Sequence, residues 1–265
     1  MPDNTKHSVN FRVGSLEVLI ASTQEQIHAA QRLRYRVFCL EMGAKASREM
    51  RAARRDFDEF DELCDHMLVI DHEKNGKVVG AYRMLRRSKL PKGRKFYTQS
   101  EYDISKVLSH FKGEVMELGR SCVDRAYRTR STMQMLWKAI GEYIGLYNVE
   151  AMFGCASFPG HRYRIHATHL AYLYHYHLAP PEFRPVARKI RRRRKPMNLI
   201  DKYHLDKREC LITLPPLIKG YLRLGGFVGD GAFKDKPYNT TDVCIVLPTA
   251  QISEKYATRY GVESK

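Results

Sequence analysis

Short apolar runs recur along the chain, and their lengths predict β-strands rather than long helices. The predicted strands cover residues 16–20, 67–70, 78–85, 115–123, 151–157, 227–233 and 241–247. Asn75 and Gly76 lie between the second and third of these strands. An Asn-Gly pair between two apolar runs is the strongest short-range signal of a hairpin, so we expect those two strands to pair antiparallel.

Two longer segments, residues 25–41 and 131–147, carry apolar side chains at a spacing near 3.6 and predict amphipathic helices, with shorter helical patterns at 104–111 and 217–224. The order of strands and helices predicts a mixed α/β sheet in a single domain spanning residues 1–265. We expect its core to cover about 16–160 and 206–248. Residues 161–205, rich in His, Tyr, Pro and basic residues, are predicted to form a basic, partly helical insertion.

The charge of the chain indicates an acidic partner. Forty-six Lys and Arg against 29 Asp and Glu give the 265 residues a net charge of +17. Nucleic acid, an anionic membrane surface and an acidic carrier protein all fit this charge, which does not separate them. The chain has no apolar run long enough to span a bilayer, and residues 1–11 lack the apolar stretch of a secretion signal, so we expect a cytosolic protein. Six scattered cysteines without a CxxC pair are expected to be reduced and structural.

Residues 117–131 carry the most informative local pattern, because a strand ends, a short basic loop turns and a helix begins at once. Ser131 or Thr132 is a suitable helix cap, and the free N–H groups of a helix start form an anion site. Arg125, Arg128 and Arg130 add positive charge, so one phosphate of a carrier arm fits this place. The alternative is an ordinary strand–helix turn with a solvated basic loop.

The same run resembles the signature of Gcn5-related N-acetyltransferases, in which a central strand leads into a pyrophosphate-binding loop. The resemblance implies a mixed, mostly antiparallel sheet flanked by helices. The family loop carries glycines, whereas here Arg128 is followed by Ser131 and Met133. A loop without glycines wraps less closely around two phosphates, so we expect phosphopantetheine on acyl carrier protein in place of coenzyme A. The expected carrier-binding residues are Val123, Arg125, Arg128, Thr129, Arg130, Ser131 and Thr132.

A second layer of resemblance concerns the acceptor. Four short motifs, at 34–38, 58–61, 80–83 and 117–120, occur in the order seen in acyl-homoserine-lactone synthases. Residues 34–43, 117–137 and 154–160 resemble bacterial ornithine-lipid N-acyltransferases more closely, and this match covers most of the chain. That family transfers a 3-hydroxyacyl group from acyl carrier protein to the α-amino group of L-ornithine, giving lyso-ornithine lipid. The alternatives are an acyl-homoserine-lactone or other N-acyl amino-acid synthase, and a non-catalytic basic module that binds nucleic acid or membrane.

Aminolysis of a thioester needs a proton acceptor for the attacking amine, and Glu117 is the expected base, with Arg120 of the same motif beside it. A structural ion pair between Glu117 and Arg120 is the alternative. Asp58 and Asp61 are expected to hold the cationic amines of ornithine. The remaining expected acceptor residues are Arg34 or Arg83, for the carboxylate, and Phe38. For Asp58 and Asp61 the alternative is a capped turn with surface ion pairs.

Two other features invite a function. Histidines 161, 166, 169, 175 and 177 have no cysteine or carboxylate set to complete a zinc site, so no metal and no bound cofactor are expected. The basic segment, which we define as residues 188–195, holds seven basic residues: Arg188, Lys189, Arg191, Arg192, Arg193, Arg194 and Lys195. No nucleic-acid-binding motif accompanies it, so we expect it to contact an anionic membrane from the cytoplasmic side, with a solvated loop as the alternative.

Overall fold

The computed structural model describes residues 9–252. The helices are α1 Gln24–Arg34, α2 Arg48–Ala53, α3 Ser105–His110, α4 Arg130–Tyr147, α5 Ala167–His177, α6 Lys207–Thr213 and α7 Pro216–Arg223, and a π-helical stretch, Tyr35–Glu41, continues α1. The strands are β1 Asn10–Val13, β2 Leu16–Ile20, β3 Asp65–Asp71, β4 Lys77–Arg86, β5 Tyr102–Asp103, β6 Glu114–Val123, β7 Val149–Pro159, β8 Val186–Ala187, β9 Arg194–Lys195, β10 Phe227–Val228, β11 Ala232–Asp235 and β12 Thr240–Pro248.

One large sheet organises these elements. Its strand order is β1-β2-β3-β4-β6-β7-β12-β11-β9, with β10 also paired to β12. Every pairing within it is antiparallel except β6 with β7. Helices flank the sheet, and α4 packs its buried face, including Met135, Leu136 and Ile140, into the largest apolar core cluster. The expected mixed, mostly antiparallel sheet flanked by helices is confirmed.

The local signals in the sequence correspond to the observed elements. Strand β2 has the predicted bounds, and the hairpin between β3 and β4 turns at Asn75 and Gly76, whose φ angles of 53° and 69° are left-handed. The expected helix cap at Ser131 or Thr132 is wrong, because the N-cap of α4 is Thr129, whose side chain accepts the N–H of Thr132 in the first turn. The predicted strand over 227–233 is instead two short strands, β10 and β11, which both pair with β12.

The feature that positions the functional site is the parting of β6 and β7. Their parallel pairing runs from Glu114 opposite Val149 to Glu117 opposite Phe153 and ends there. At Gly154 a side chain would lie 2.1 Å from the carbonyl oxygen of Leu118, so the two backbones touch where they separate. Beyond this point β6 stays paired to β4 and β7 stays paired to β12. A cleft opens between the two halves of the sheet.

The segment 161–205 contributes to both core and sheet. Leu170 and Leu173 of α5 are fully buried in the largest core cluster, and β9 pairs with β11. That the whole chain forms one domain stays a prediction. Within the described residues no helix combines the length and apolar character needed to cross a membrane. All six cysteines are free.

Candidate active site

The cleft between the separated ends of β6 and β7 is a cavity of about 780 Å³. Its walls are residues 117–123 of β6 and 155–159 of β7, with Thr240 and Asp242 of β12 behind them. The π-helical stretch and α7 close two further sides. Part of the lining, which we call the polar end, carries charged side chains, including Glu117, Arg120 and Asp242. Other lining side chains are apolar: Met133, Phe158, Leu214 and Leu217. A cavity lined by both kinds of group suits a substrate with a reactive head and a hydrocarbon tail.

A β-bulge brings Arg120 into the polar end. The register between β4 and β6 shifts at this point, and Arg120 has a left-handed φ of 53°. Its guanidinium lies between two aromatic rings, 4.7 Å from the ring centre of Tyr97 and 4.5 Å from that of Tyr238. Within residues 9–252 its buried Nε has no hydrogen-bond partner. The bulge therefore presents a positive charge to the cleft.

Behind Arg120 lies a charge network, which we define as Arg34, Arg83, Arg120, Asp56, Asp58 and Asp61. Arg34 contacts Asp56 at 2.7 Å and Asp61 at 2.6 Å, and Arg83 contacts Asp58 at 2.5 Å. Arg120 joins the network through Asp58 at 2.9 Å. Three guanidinium groups thus balance three carboxylates.

This network changes the interpretation of the expected acceptor residues. Arg34 and Asp61 are almost fully buried and do not line the cleft, whereas Arg83 and Phe38 do. Burial disfavours ionisation of Asp58, but the charges of Arg83 and Arg120 outweigh it and lower the pKa of Asp58. The pKa of Asp61 is lowered as well, because Arg34 and Arg83 outweigh its burial. Asp58 and Asp61 already have cationic partners, so the structure does not offer them as ligands for an amine. The alternative interpretation, a capped turn with ion pairs, describes Asp58 and Asp61 better, although these ion pairs are buried and not on the surface.

Glu117 lines the cleft but has different contacts from those expected of it. It is 6% exposed, and its two carboxylate oxygens accept the backbone N–H groups of Tyr97 (3.1 Å) and Thr98 (2.6 Å). It forms no ion pair with Arg120 within the described residues. Burial raises the pKa of Glu117, and the hydrogen bonds from Thr98 and Tyr97 offset part of this rise. A carboxylate with a raised pKa beside a cavity is suited to accept a proton.

Three further carboxylates form what we call the acidic cluster: Glu101, Asp235 and Asp242. Each is at most 5% exposed, and all three line the cleft. Burial, together with the charges of its two neighbours, raises the pKa of Glu101 far above its usual range. Burial raises the pKa of Asp235 and brings that of Asp242 to about 7. The cluster therefore holds protons when no cation is present.

The start of α4 lies at the edge of the cleft, as expected of a carrier-binding loop. Val123, Arg128 and Met133 line the cavity there, and Arg125, Arg130 and Ser131 are exposed. Arg128 is already engaged, because its guanidinium contacts both carboxylate oxygens of Glu41, at 2.5 and 2.7 Å. Thr129 and Thr132 are engaged with each other through the helix cap. The loop thus brings the predicted residues together, with Arg125 and Arg130 as its unpaired charges among the described residues.

The five histidines do not gather at one point in the described part of the chain, although His166 and His169 both lie beside Phe158 and line the cleft. His161, His166, His169, His175 and His177 hydrogen-bond with Asn239, Pro159, Thr213, Ile200 and Tyr172 respectively. In the described part of the chain, the one group of three side chains close enough to share an ion is the acidic cluster, whose ligand oxygens lie within 4.8 Å of one another.

The basic segment is only partly solvated, so the alternative of a solvated loop does not describe all of it. Arg194 and Lys195 form strand β9, and Arg194 pairs with Asp230 at 2.9 Å. Arg188 donates from its side chain to the carbonyl of Gln99, and from its backbone N–H to the carbonyl of Glu101. Arg193 lies over the ring of Phe233. The exposed triplet, Lys189, Arg191 and Arg192, forms no ion pair with any residue that the structure describes and is accessible to an outside partner.

Sequence reasoning missed Tyr97, Glu101, Asp235, Tyr238 and Asp242. One signal was available for Asp242, a carboxylate inside the apolar run 241–247. A charged residue within a fully buried strand is rare without a partner or a function. The other four lie in short turns or at strand ends, and nothing in their local sequence marks them.

The chain is similar to known acyltransferases in sequence and in fold. Residues 33–138 match the family model described as acetyltransferase (GNAT) domain. The chain is 42% identical over 259 residues to the L-ornithine N(alpha)-acyltransferase of Agrobacterium fabrum. The alignment covers 96% of this chain and 88% of the relative. The chain is 41% identical over 258 residues to the L-ornithine N(alpha)-acyltransferase of Brucella abortus, with 96% and 91% covered. Among solved structures it is similar to an N-acyl amino acid synthase from uncultured soil microbes, with a TM-score of 0.47, 8% identity and coverage of 92% of this chain and 97% of the other. The family match confirms the acetyltransferase-like fold expected from residues 117–131.

Proposed function

Because the chain belongs to the L-ornithine N(alpha)-acyltransferase family, we propose that it transfers an acyl group to the α-amino group of L-ornithine. The observation that carries this proposal in the fold is the cleft at the point where β6 and β7 part. Met133 in the first turn of α4 belongs to its lining, and charged groups line part of its wall. The product is an N-acylated ornithine, the lyso form of ornithine lipid.

The donor is a 3-hydroxyacyl group on the phosphopantetheine arm of acyl carrier protein. The arm enters beside the start of α4, where free N–H groups and the exposed Arg125 and Arg130 attract its phosphate. The thioester then lies against residues 119–123 of β6, whose edge towards β7 has no strand partner within residues 9–252. The acyl chain lies against the apolar side chains of the cleft. An acidic carrier is also attracted by the net charge of +17.

The chemical step is direct aminolysis. The neutral α-amine attacks the thioester carbonyl, and a bond from nitrogen to carbon forms while the carbonyl electrons move to oxygen. Glu117 accepts the proton that the nitrogen loses, and backbone N–H groups around Ser121 stabilise the oxyanion. The carbonyl then re-forms, the carbon–sulfur bond breaks and the thiolate leaves, to be protonated in turn. Arg120 pairs with the acceptor carboxylate and so orients the amine.

Binding to the membrane accounts for the fate of a lipid product. The exposed triplet supplies three positive charges outside the sheet. Leu40 and Ile212 are 63% and 62% exposed, and each neighbours a residue that lines the cleft, Glu41 and Thr213. Basic and apolar groups together favour the surface of an anionic bilayer. We propose that the protein works in the cytoplasm and binds the inner face of the membrane reversibly.

Acyl transfer with purified protein tests this function. The protein is incubated with L-ornithine and a 3-hydroxyacyl group carried either by acyl carrier protein or by coenzyme A, and the product is identified by mass spectrometry. We expect N(alpha)-acyl ornithine, and a higher specificity constant for the carrier-bound donor. An equal specificity constant for coenzyme A would overturn the donor assignment. Acylation of another amine, with ornithine left unchanged, would overturn the acceptor.

A further inference from the structure

The acidic cluster differs from the charge network in having no cationic partner within 4 Å among the described residues. In the charge network, Asp56, Asp58 and Asp61 are each within 4 Å of at least one arginine. In the described part of the chain, no lysine, arginine or histidine lies within 4 Å of Glu101, Asp235 or Asp242. A polar neighbour of Glu101 is the thiol of Cys155, which donates to it at 3.3 Å. A chain with a net charge of +17 thus contains a buried site lined by acidic groups.

Unsatisfied polar atoms gather at the same place. Among residues 9–252, three buried side-chain atoms have no hydrogen-bond partner: Arg120 Nε, Thr240 Oγ1 and Asp242 Oδ1. All three belong to residues that line the cleft. Buried groups of this kind are rare in folded proteins and mark places where a ligand, ion or water completes the hydrogen bonds. Asp242 is 3% exposed and lines the cavity, where its carboxylate also interacts with Ser157, Thr240 and Glu101.

We propose that the acidic cluster binds the side-chain ammonium group of the acceptor, and that it selects a diamino acid over amino acids with neutral side chains. The inference rests on the proposed function, because it names the part of the site that recognises the acceptor. An ammonium group has three N–H donors, and the three carboxylates converge within 4.8 Å. Arg120 also lines the cleft, and although its Nη2 pairs with Asp58, its Nε has no hydrogen-bond partner among the described residues and is available to the carboxylate of the amino acid. A flexible diamino acid presents both charges to one face of the cleft.

Binding of the ammonium group must then be coupled to the release of protons from the acidic cluster. Three carboxylates this close keep protons when no cation is present, because burial and mutual repulsion raise their pKa values. An arriving ammonium group favours the ionised carboxylates, so protons leave as it binds. An amino acid of the same length with a neutral side chain releases none from the cluster. L-Norvaline, which has ornithine's carbon chain without the terminal amine, is the matched probe.

The first experiment compares the two acceptors with three proteins: wild type, Asp242→Asn and the control Asp103→Asn. Asp103 is an exposed aspartate two residues from Glu101, and it bonds the backbone of Ser105 outside the cleft. We expect wild type and control to prefer ornithine over norvaline by roughly 10- to 100-fold in kcat/KM. Asp242→Asn should lose most of this preference because its kcat/KM for ornithine falls. Its kcat/KM for norvaline should stay within a few-fold of the wild-type value. A preference unchanged in a folded Asp242→Asn protein overturns the inference.

A binding experiment without donor keeps the inference separate from the proposed function. Calorimetric titration of wild type in buffers of different ionisation enthalpy measures the protons released. Release of protons with ornithine and none with norvaline is the expected result, and equal values overturn the inference whatever the enzyme's activity. If wild type acylates both amino acids equally, the proposed acyl transfer stands and only this inference fails. If Mg²⁺ or Mn²⁺ alone binds one site per chain, and Asp242→Asn removes it without changing the acceptor preference, the cluster is a metal site instead.

Discussion

Replacing Glu117 by glutamine separates its structural role, holding the turn at residues 97–98, from its proposed role as proton acceptor. Its two oxygens accept two backbone N–H groups, from Tyr97 and Thr98. Glutamine keeps one acceptor oxygen and turns an NH₂ group towards the second N–H. Hydrogen bonds to charged groups contribute about 1.5–3 kcal/mol each to stability. Loss of one such bond to the turn should lower the free energy of unfolding of the variant by roughly 2 kcal/mol. Removal of the buried charge offsets part of this loss.

The effect on catalysis should be much larger than the effect on folding. A positioned general base contributes about 10²- to 10⁴-fold to the rate. We therefore expect kcat at pH 7 to fall by that factor in Glu117→Gln, and to recover as the pH rises, because a more basic medium supplies neutral amine directly. The assay is kcat and kcat/KM between pH 6 and 10, with thermal unfolding measured on the same samples.

A matched variant tests whether the loss comes only from a displaced turn. Gln99→Ala removes the hydrogen bond between the side chain of Gln99 and the N–H of Phe96, and so loosens the same turn without changing the carboxylate. We expect this control to keep kcat within a few-fold of wild type. Near-wild-type turnover at pH 7 in a folded Glu117→Gln protein would remove Glu117 from the mechanism. An equal loss of kcat in Gln99→Ala would show that Glu117 is a positioning residue that acts through the turn.

Other predictions follow from charges at the rim and inside the cleft. Replacing Arg125 and Arg130 by glutamine should raise KM for acyl carrier protein about 2- to 30-fold and reduce its salt dependence; unchanged kinetics at low salt would contradict the carrier site. Replacing the exposed triplet by glutamine should weaken binding to anionic vesicles by roughly 100-fold, because each charge near such a surface contributes about 1 kcal/mol; sedimentation equal to wild type would exclude the membrane role. Asp242 has a pKa of about 7 when folded against 3.8 as its ordinary value, so the folded state holds the extra proton and stability falls as pH rises between these values. Asp242→Asn should reduce this fall, by at most about 1.4 kcal/mol per pH unit, in urea unfolding at pH 5 and pH 8, and the part that remains comes from Glu101 and Asp235.

Much of the fold was predictable because its signals are local. The hairpin at Asn75 and Gly76 and the helix start after Thr129 depend on the chemistry of neighbouring residues. The order of strands then restricts the topology. The short pair Arg194–Lys195 was missed because a run of basic residues is typical of a solvated segment, whereas here it pairs with Ala232–Phe233 at the sheet edge.

The candidate site was predictable only where its residues are close in sequence. Glu117, Arg120 and the loop to Thr132 belong to one continuous segment, and the structure keeps them around one cleft. The acidic cluster comes from three separate elements, and its burial depends on the whole sheet. Asp58 and Asp61 looked available as acidic residues near a turn, but their partners Arg34 and Arg83 lie more than twenty residues away in sequence. Pairing of that kind is a property of the folded chain.

The most direct test of the central claim is mass spectrometry of lipids from cells that lack ornithine lipids and express this chain. The account predicts a new lipid with one amide-linked 3-hydroxyacyl chain and an ornithine head group, and no such lipid in cells expressing Glu117→Gln at an equal level of folded protein. A new lipid with another head group, or no new lipid while folded wild-type protein accumulates, would contradict the account.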